Sequence, residues 1–150
     1  MSVTDDPLDF REAPDLNDMD ENEQAHEVYA WAGLALYYGQ VFEQGLIHTL
    51  YAGQVVDGSL LKTFGTLEKF DAIVDKQTAG ALIRRLRQHV MTETHVDDTC
   101  DEALRRRNFV VHHFFSERSE LFARQDGRQL MIEELRQDII AFRKADEQLS

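Results

Sequence analysis

The sequence predicts an all-α fold, an antiparallel bundle of four to five helices, and three observations carry that prediction. Apolar residues recur with helical spacing over the stretches 23–50, 97–119 and 128–149. No segment alternates apolar and polar residues with period two for long enough to form a strand. Both prolines, Pro7 and Pro14, stand in the N-terminal region and interrupt none of those stretches. A chain of 150 residues with 43% apolar content buries one substantial core without needing a second domain.

Taken in order, the chain divides into an acidic N-terminal arm, residues 1–22, and one helical domain, residues 23–150. The arm combines both prolines with acids and few large apolar groups, so burial cannot repay the entropy of ordering it, and it is expected to be flexible. A first helix over 23–50 is apolar on most sides, through Val28, Trp31, Leu34, Phe42, Leu46 and Ile47. Gly33, Gly39 and Gly45 recur within it every six residues and are expected to admit another helix at close range. Glu43 projects among its apolar residues, where an unpaired carboxylate either costs several kcal/mol or takes up a proton.

Residues 52–65 carry Gly53, Asp57-Gly58 and Gly65 and read as a connection. A brief helix follows from Thr66, and a longer one over 78–91 turns Leu82, Ile83, Leu86 and Val90 to one face and Arg84, Arg85 and Arg87 away from it. The next helix is expected to start at Asp97 or Asp98, where an aspartate caps the first turn, and to run to Ser119. Asp126-Gly127 marks a turn, and 128–149 closes the domain with Met131, Ile132, Leu135, Ile139, Phe142 and Leu149 facing inward.

The formal charge of −12 argues against a nucleic-acid partner, because binding phosphates calls for a basic face. The acids, however, crowd the first 27 residues, which hold ten against a single base, whereas the remaining 123 are nearly balanced with 18 acids and 15 bases. Arginines cluster at 84, 85, 87 and at 105–107, so a local positive patch is compatible with the overall charge. No run of about eighteen uncharged apolar residues could span a bilayer, and the N-terminus is acidic where a signal peptide is basic. The expected location is therefore cytoplasmic, with no membrane partner. Cys100 has no second thiol to pair with and is expected to be a small buried hydrophobe.

The stretch Arg105 to Phe115 sets charged and titratable side chains inside an apolar helical segment. On a helical projection Cys100, Leu104, Val111, Phe114 and Phe115 share one sector and Arg107 falls inside it. Asn108 and His112, one turn apart, border that sector, while Arg105, Arg106 and His113 point away, toward water. Glu43 and Arg107, each directed into apolar surroundings, are expected to pair, and removing one partner is expected to cost roughly 3 to 5 kcal/mol. Phe109 and Val110 lie outside the main sector, which predicts a homodimer covering a second apolar face of this helix. There is no glycine-rich phosphate loop, nucleophile elbow, His-Glu-x-x-His pair or convincing metal set, and no cofactor is expected.

Arg107-Asn108, three residues and then His112 resembles the motif of the HEPN superfamily, the higher eukaryotes and prokaryotes nucleotide-binding domain. There an Arg, followed by a polar residue, precedes a His on a late helix of a short all-helical chain. The resemblance covers roughly residues 24–149. It implies a metal-independent endoribonuclease whose two copies join their motifs in a cleft at the dimer interface, of the kind found in toxin-antitoxin and antiviral systems. RNA and an antitoxin protein would then be its partners. His112 would act as acid or base, Arg107 as phosphate ligand and Asn108 as orienting residue, with Glu43 supporting Arg107 and His113 as the spare histidine. Some relatives carry a tyrosine two places after the histidine that a nucleotidyltransferase modifies; Phe114 stands there here, so that control is in doubt. The competing reading is a non-catalytic helical dimer module that binds a nucleotide or a partner protein through the same cleft.

Overall fold

Asp20 opens the helical body: its carboxylate accepts from the Glu23 backbone amide at 2.8 Å, which is the N-cap bond of the first helix and holds the Asp20 carboxyl below its ordinary range. The computed structural model describes residues 12–57 and 94–149, with side chains over 12–49 and 98–149. Five helices lie in this part: α1 (Glu21–Asp57), α2 (Thr94–His112), α3 (Phe114–Glu117), α4 (Ser119–Phe122) and α5 (Gln125–Gln148). There is no strand among the described residues, so the chain is all-α as expected. The expected helices near Thr66 and over 78–91, and the arginines at 84, 85 and 87, lie outside the described residues.

The three long helices share one core. Phe42, Phe114, Leu16, Met131, Ile132, Leu135, Ile139 and Phe142 are its largest fully buried side chains. Gln24 meets Arg128, Gly39 meets Phe142 and Gly45 meets Asp146, so α1 and α5 run parallel. Arg107 reaches Glu43 and Phe115, just past the end of α2, meets Tyr29, while Arg106 reaches Asp138 and Arg118 reaches Glu134, so α2 runs antiparallel to both. Amphipathic stripes specify which face is buried and leave direction open, and here the first and last described helices are a parallel pair with α2 antiparallel between them.

Element boundaries moved for local reasons. α1 continues past the expected end at Leu50 to Asp57, because one glycine at 53 costs only about 1 kcal/mol in a helix and does not stop it. α2 starts at Thr94 and ends at His112, where the chain bends at His113 with φ −129° and ψ −17°. The bend keeps its hydrogen bonds, His113 N to the Phe109 carbonyl at 2.8 Å and Glu117 N to the His113 carbonyl at 2.9 Å, and it drives Phe114 into the core at 1% exposure. Asp126-Gly127 is no turn; both lie in the first turn of α5. Gly127 is needed there because a Cβ would stand 2.0 Å from the Leu121 carbonyl oxygen, where α4 crosses the start of α5.

The N-terminal boundary is also corrected. Leu16, placed in the flexible arm by composition, is 1% exposed. Its amide donates to Gln129 Oε1 at 3.3 Å, and Gln129 returns a bond to the Pro14 carbonyl at 2.9 Å. Buried Gln24 donates to the carbonyls of Leu16 and Met19 and accepts from the buried Arg128 guanidinium at 2.9 Å. One large apolar residue in a polar stretch is therefore enough to dock 14–19 on the body when two glutamines, Gln24 and Gln129, satisfy its backbone.

Candidate ion-paired face of the motif helix

α2 lies in the groove between α1 and α5 and buries the stripe Cys100, Ala103 and Val110, which Phe114 of α3 continues past the bend, with Arg107 in its middle. The projected sector held Cys100, Phe114 and Arg107 but is rotated from the real one. Val110 is buried inside the protomer, and Phe109 packs against the core beneath the Arg118 guanidinium, 4.9 Å from its ring centroid. Neither residue is free to cover a second copy, which removes the reason first given for a dimer. Val111 and Phe115 instead stand open, at 41% and 42% exposure.

Arg107 points its Nε at Glu43 Oε2, 2.7 Å away, with the two side chains 20% and 11% exposed. The expected pair exists. The N–H is not aligned on that oxygen, so the contact is ionic and both atoms are buried without a hydrogen bond. Burial raises the Glu43 carboxyl above its ordinary value and the Arg107 charge only partly offsets it. The Arg107 stem lies over Gly39, whose missing Cβ would stand 3.2 Å from Arg107 Cγ. Gly39 and Gly45 thus admit neighbouring side chains as expected, whereas a Cβ at Gly33 would meet nothing within 4 Å.

Arg107 Nη1 donates to Asn108 Oδ1 at 3.2 Å, so two of the three motif residues touch. His112 is exposed at the last position of α2, and its ring neighbours that of exposed His113, 6.3 Å between centroids. Asn108, Val111 and His112 share one outer face of α2, and exposed Phe115 of α3 continues it toward α1 by contact with Tyr29, 5.8 Å between ring centroids. Tyr29 and Leu36 extend the face with 53% and 39% exposure. The face thus offers a histidine and an amide beside a screened guanidinium, framed by exposed apolar and aromatic groups.

Arg106 was expected to face water. It turns instead to α5, donating to Asp138 Oδ1 at 2.9 Å and, on its own helix, to Glu102 at 2.9 Å. Arg105 is exposed and also bonds Glu102. Sequence reasoning missed Asp138, which is 3% exposed and whose carboxyl burial pushes up to about 6 against the pull of Arg106. The signal was present: Asp138 lies three residues after Leu135 and four before Phe142, on the apolar stripe of α5. Among the described residues no group of His, Cys, Asp and Glu could hold a metal ion, and no helix is long and apolar enough to cross a membrane. Compared with protein-family models, curated proteins and solved structures, the chain matches none.

Proposed function

We propose that this protein is a HEPN-like, metal-independent endoribonuclease of the toxin-antitoxin or antiviral kind, acting at a site shared by two copies. The observation that carries the reading is that Asn108 and His112 lie exposed on one face of α2 while Arg107, bonded to Asn108, is held by Glu43 at its edge. Cutting RNA without a metal needs a proton acceptor for the ribose 2′-OH, a cation for the phosphorane and a group to orient them. His112, Arg107 and Asn108 carry those properties. A single copy offers one histidine of the motif to solvent, and the exposed Tyr29, Leu36, Val111 and Phe115 around it are the surface on which a second copy would bring another.

Purified protein in excess chelator is expected to cut single-stranded RNA, leaving 2′,3′-cyclic phosphate ends, and to spare DNA. His112→Ala should abolish cleavage with the fold intact, while His113→Ala should retain it. Cleavage that chelator stops, or that survives His112→Ala, overturns the mechanism. One observation favours a second reading, a non-catalytic helical dimer module for a nucleotide or partner protein: Glu43 already neutralises Arg107, the cation that catalysis would need. Absence of cleavage together with tight nucleotide binding at the same face would select it.

A further inference from the structure

On the side of α2 opposite Glu43, a cavity of about 270 Å³ is lined by Arg105, Arg106, Phe109, Arg118, Glu134 and Asp138. These side chains come from α2, from the turn between α3 and α4, and from α5. Arg118 forms a two-pronged pair with Glu134, Nε to Oε1 at 3.0 Å and Nη2 to Oε2 at 2.9 Å. Arg106 is divided between Glu102 and Asp138, and Arg105 leans on Glu102. Three guanidinium groups therefore face the three carboxylates bonded to them, whose charges balance when every acid is ionised, with exposed Glu117 acting on Arg118 from the rim. Of the acids, Glu102 and Glu134 have side chains 38% and 33% exposed, but that of Asp138 is 5% exposed. Asp138 is the acid that can give up its charge most cheaply, and its carboxyl already stands at about 6.

We propose that this cavity is a binding site for a tetrahedral oxyanion, of sulfate or phosphate chemistry, which it takes up together with a proton on Asp138. Protonation has two effects on the same spot. It frees Arg106 Nη1 from its carboxylate, leaving the cluster one positive charge in excess, and it turns Asp138 from an acceptor into an O–H donor. The groups acting on Asp138 are Arg106 from α2, Arg118 from the α3–α4 turn and Glu134 from its own helix. Only Glu134 among them opposes the anion, and its charge is already matched by Arg118. The site is separate from the Asn108–His112 face and does not depend on the ribonuclease reading.

Sulfate is the probe for the test, since its charge stays constant over the range used. The full chain, in a cationic buffer with chloride as counter-ion, is titrated with sodium sulfate while the side-chain Nε resonances of Arg106 and Arg118 are followed. Affinity is expected to be roughly twentyfold higher at pH 5.5 than at pH 7.5, from the protonated fractions of an acid near pH 6. Asp138→Asn should bind at both pH values as the parent does at 5.5, and Arg106→Gln should bind at neither, with Arg118→Gln as a second loss variant if Arg106→Gln fails to fold. Competition by inorganic phosphate alone would mark the natural ligand as a free oxyanion; competition by an uncleavable 2′-O-methyl oligonucleotide without terminal phosphates would mark it as nucleic-acid backbone. Equal sulfate affinity at both pH values in the parent, or a parent-like pH dependence in Asp138→Asn, overturns the proposal.

Discussion

Replacing Arg107 with methionine keeps the aliphatic stem that packs over Gly39 and removes only the charge, so it isolates what the guanidinium does for Glu43. With charge centres about 4 Å apart and an effective dielectric constant near 20, the lost attraction is about 4 kcal/mol. Both side chains are less than a third exposed, so solvent screening takes little from that figure. A second route limits the loss, because the stranded Glu43 can take up a proton. From the ordinary carboxyl value of 4.5, protonation at pH 7.5 costs about 4 kcal/mol, and at pH 5 less than about 1 kcal/mol. Arg107→Met is therefore expected to lose about 3 to 4 kcal/mol at pH 7.5 and about 1 kcal/mol or less at pH 5. The converse substitution differs. Burial already holds the Glu43 carboxyl above its ordinary value with Arg107 in place, so Glu43→Gln should unfold within about 1 kcal/mol of the parent at neutral pH. That revises the symmetrical 3 to 5 kcal/mol expected from the sequence. Urea unfolding at the two pH values, read as midpoints with the slope checked for constancy, measures all three proteins. An Arg107→Met loss that is equal at pH 5 and 7.5 would refute the reasoning, since the cost would then not come from the Glu43 carboxylate.

Asp138 makes the parent itself pH-dependent: with the folded carboxyl at about 6 and the unfolded one near 3.8, its contribution is fully present below 3.8 and is lost as pH rises through 6. Asp138→Asn should accordingly be about 2 to 3 kcal/mol more stable than the parent at pH 7.5 and equal to it near pH 4, since Arg106 keeps Glu102; a less stable variant at pH 7.5 in denaturant titrations would contradict this. Gly33→Ala, with open space at the added Cβ, should gain 0.5 to about 1 kcal/mol of helix stability, measured by thermal melting of dilute protein; a loss would mean that this position is closely packed. Leu16→Ala should cost about 2 to 5 kcal/mol and expose the 14–19 segment to proteolysis, whereas a parent-like melting curve would show that the segment adds nothing to the core.

Helical periodicity was enough to place the three long helices, because each carries a stripe of apolar residues that only a 3.6-residue repeat gathers on one side. The Glu43–Arg107 pair was legible for the same reason: a charge inside such a stripe demands a partner. Arg106 and Asp138 obey that rule as well, yet Asp138 sits in a stripe rich enough in Ile and Leu to mask it. The outer face of α2 was harder to read. Val110 and Val111 are chemically alike, and which of them goes inside depends on the groove between α1 and α5, a property of three helices that one projection does not contain. The docking of Leu16 was hidden because its amide is held by Gln129, more than a hundred residues further along the chain.

The parallel pairing of α1 and α5 joins the first and last helices of the described residues, and α1 shares more of its surface with α5 than with α2. During synthesis the face of α1 that meets α5 stays without that helix until about a hundred further residues have been added. At ordinary ribosomal speed that is an interval of about 5 to 20 seconds. Throughout it the part of α1 that α5 covers would lack that cover, and the docking of Leu16 on Gln129 has to wait for the same helix. A chain stalled before α5 emerges would lack both the α5 side of its core and its N-terminal clasp, so the described fold closes only once α5 has been made.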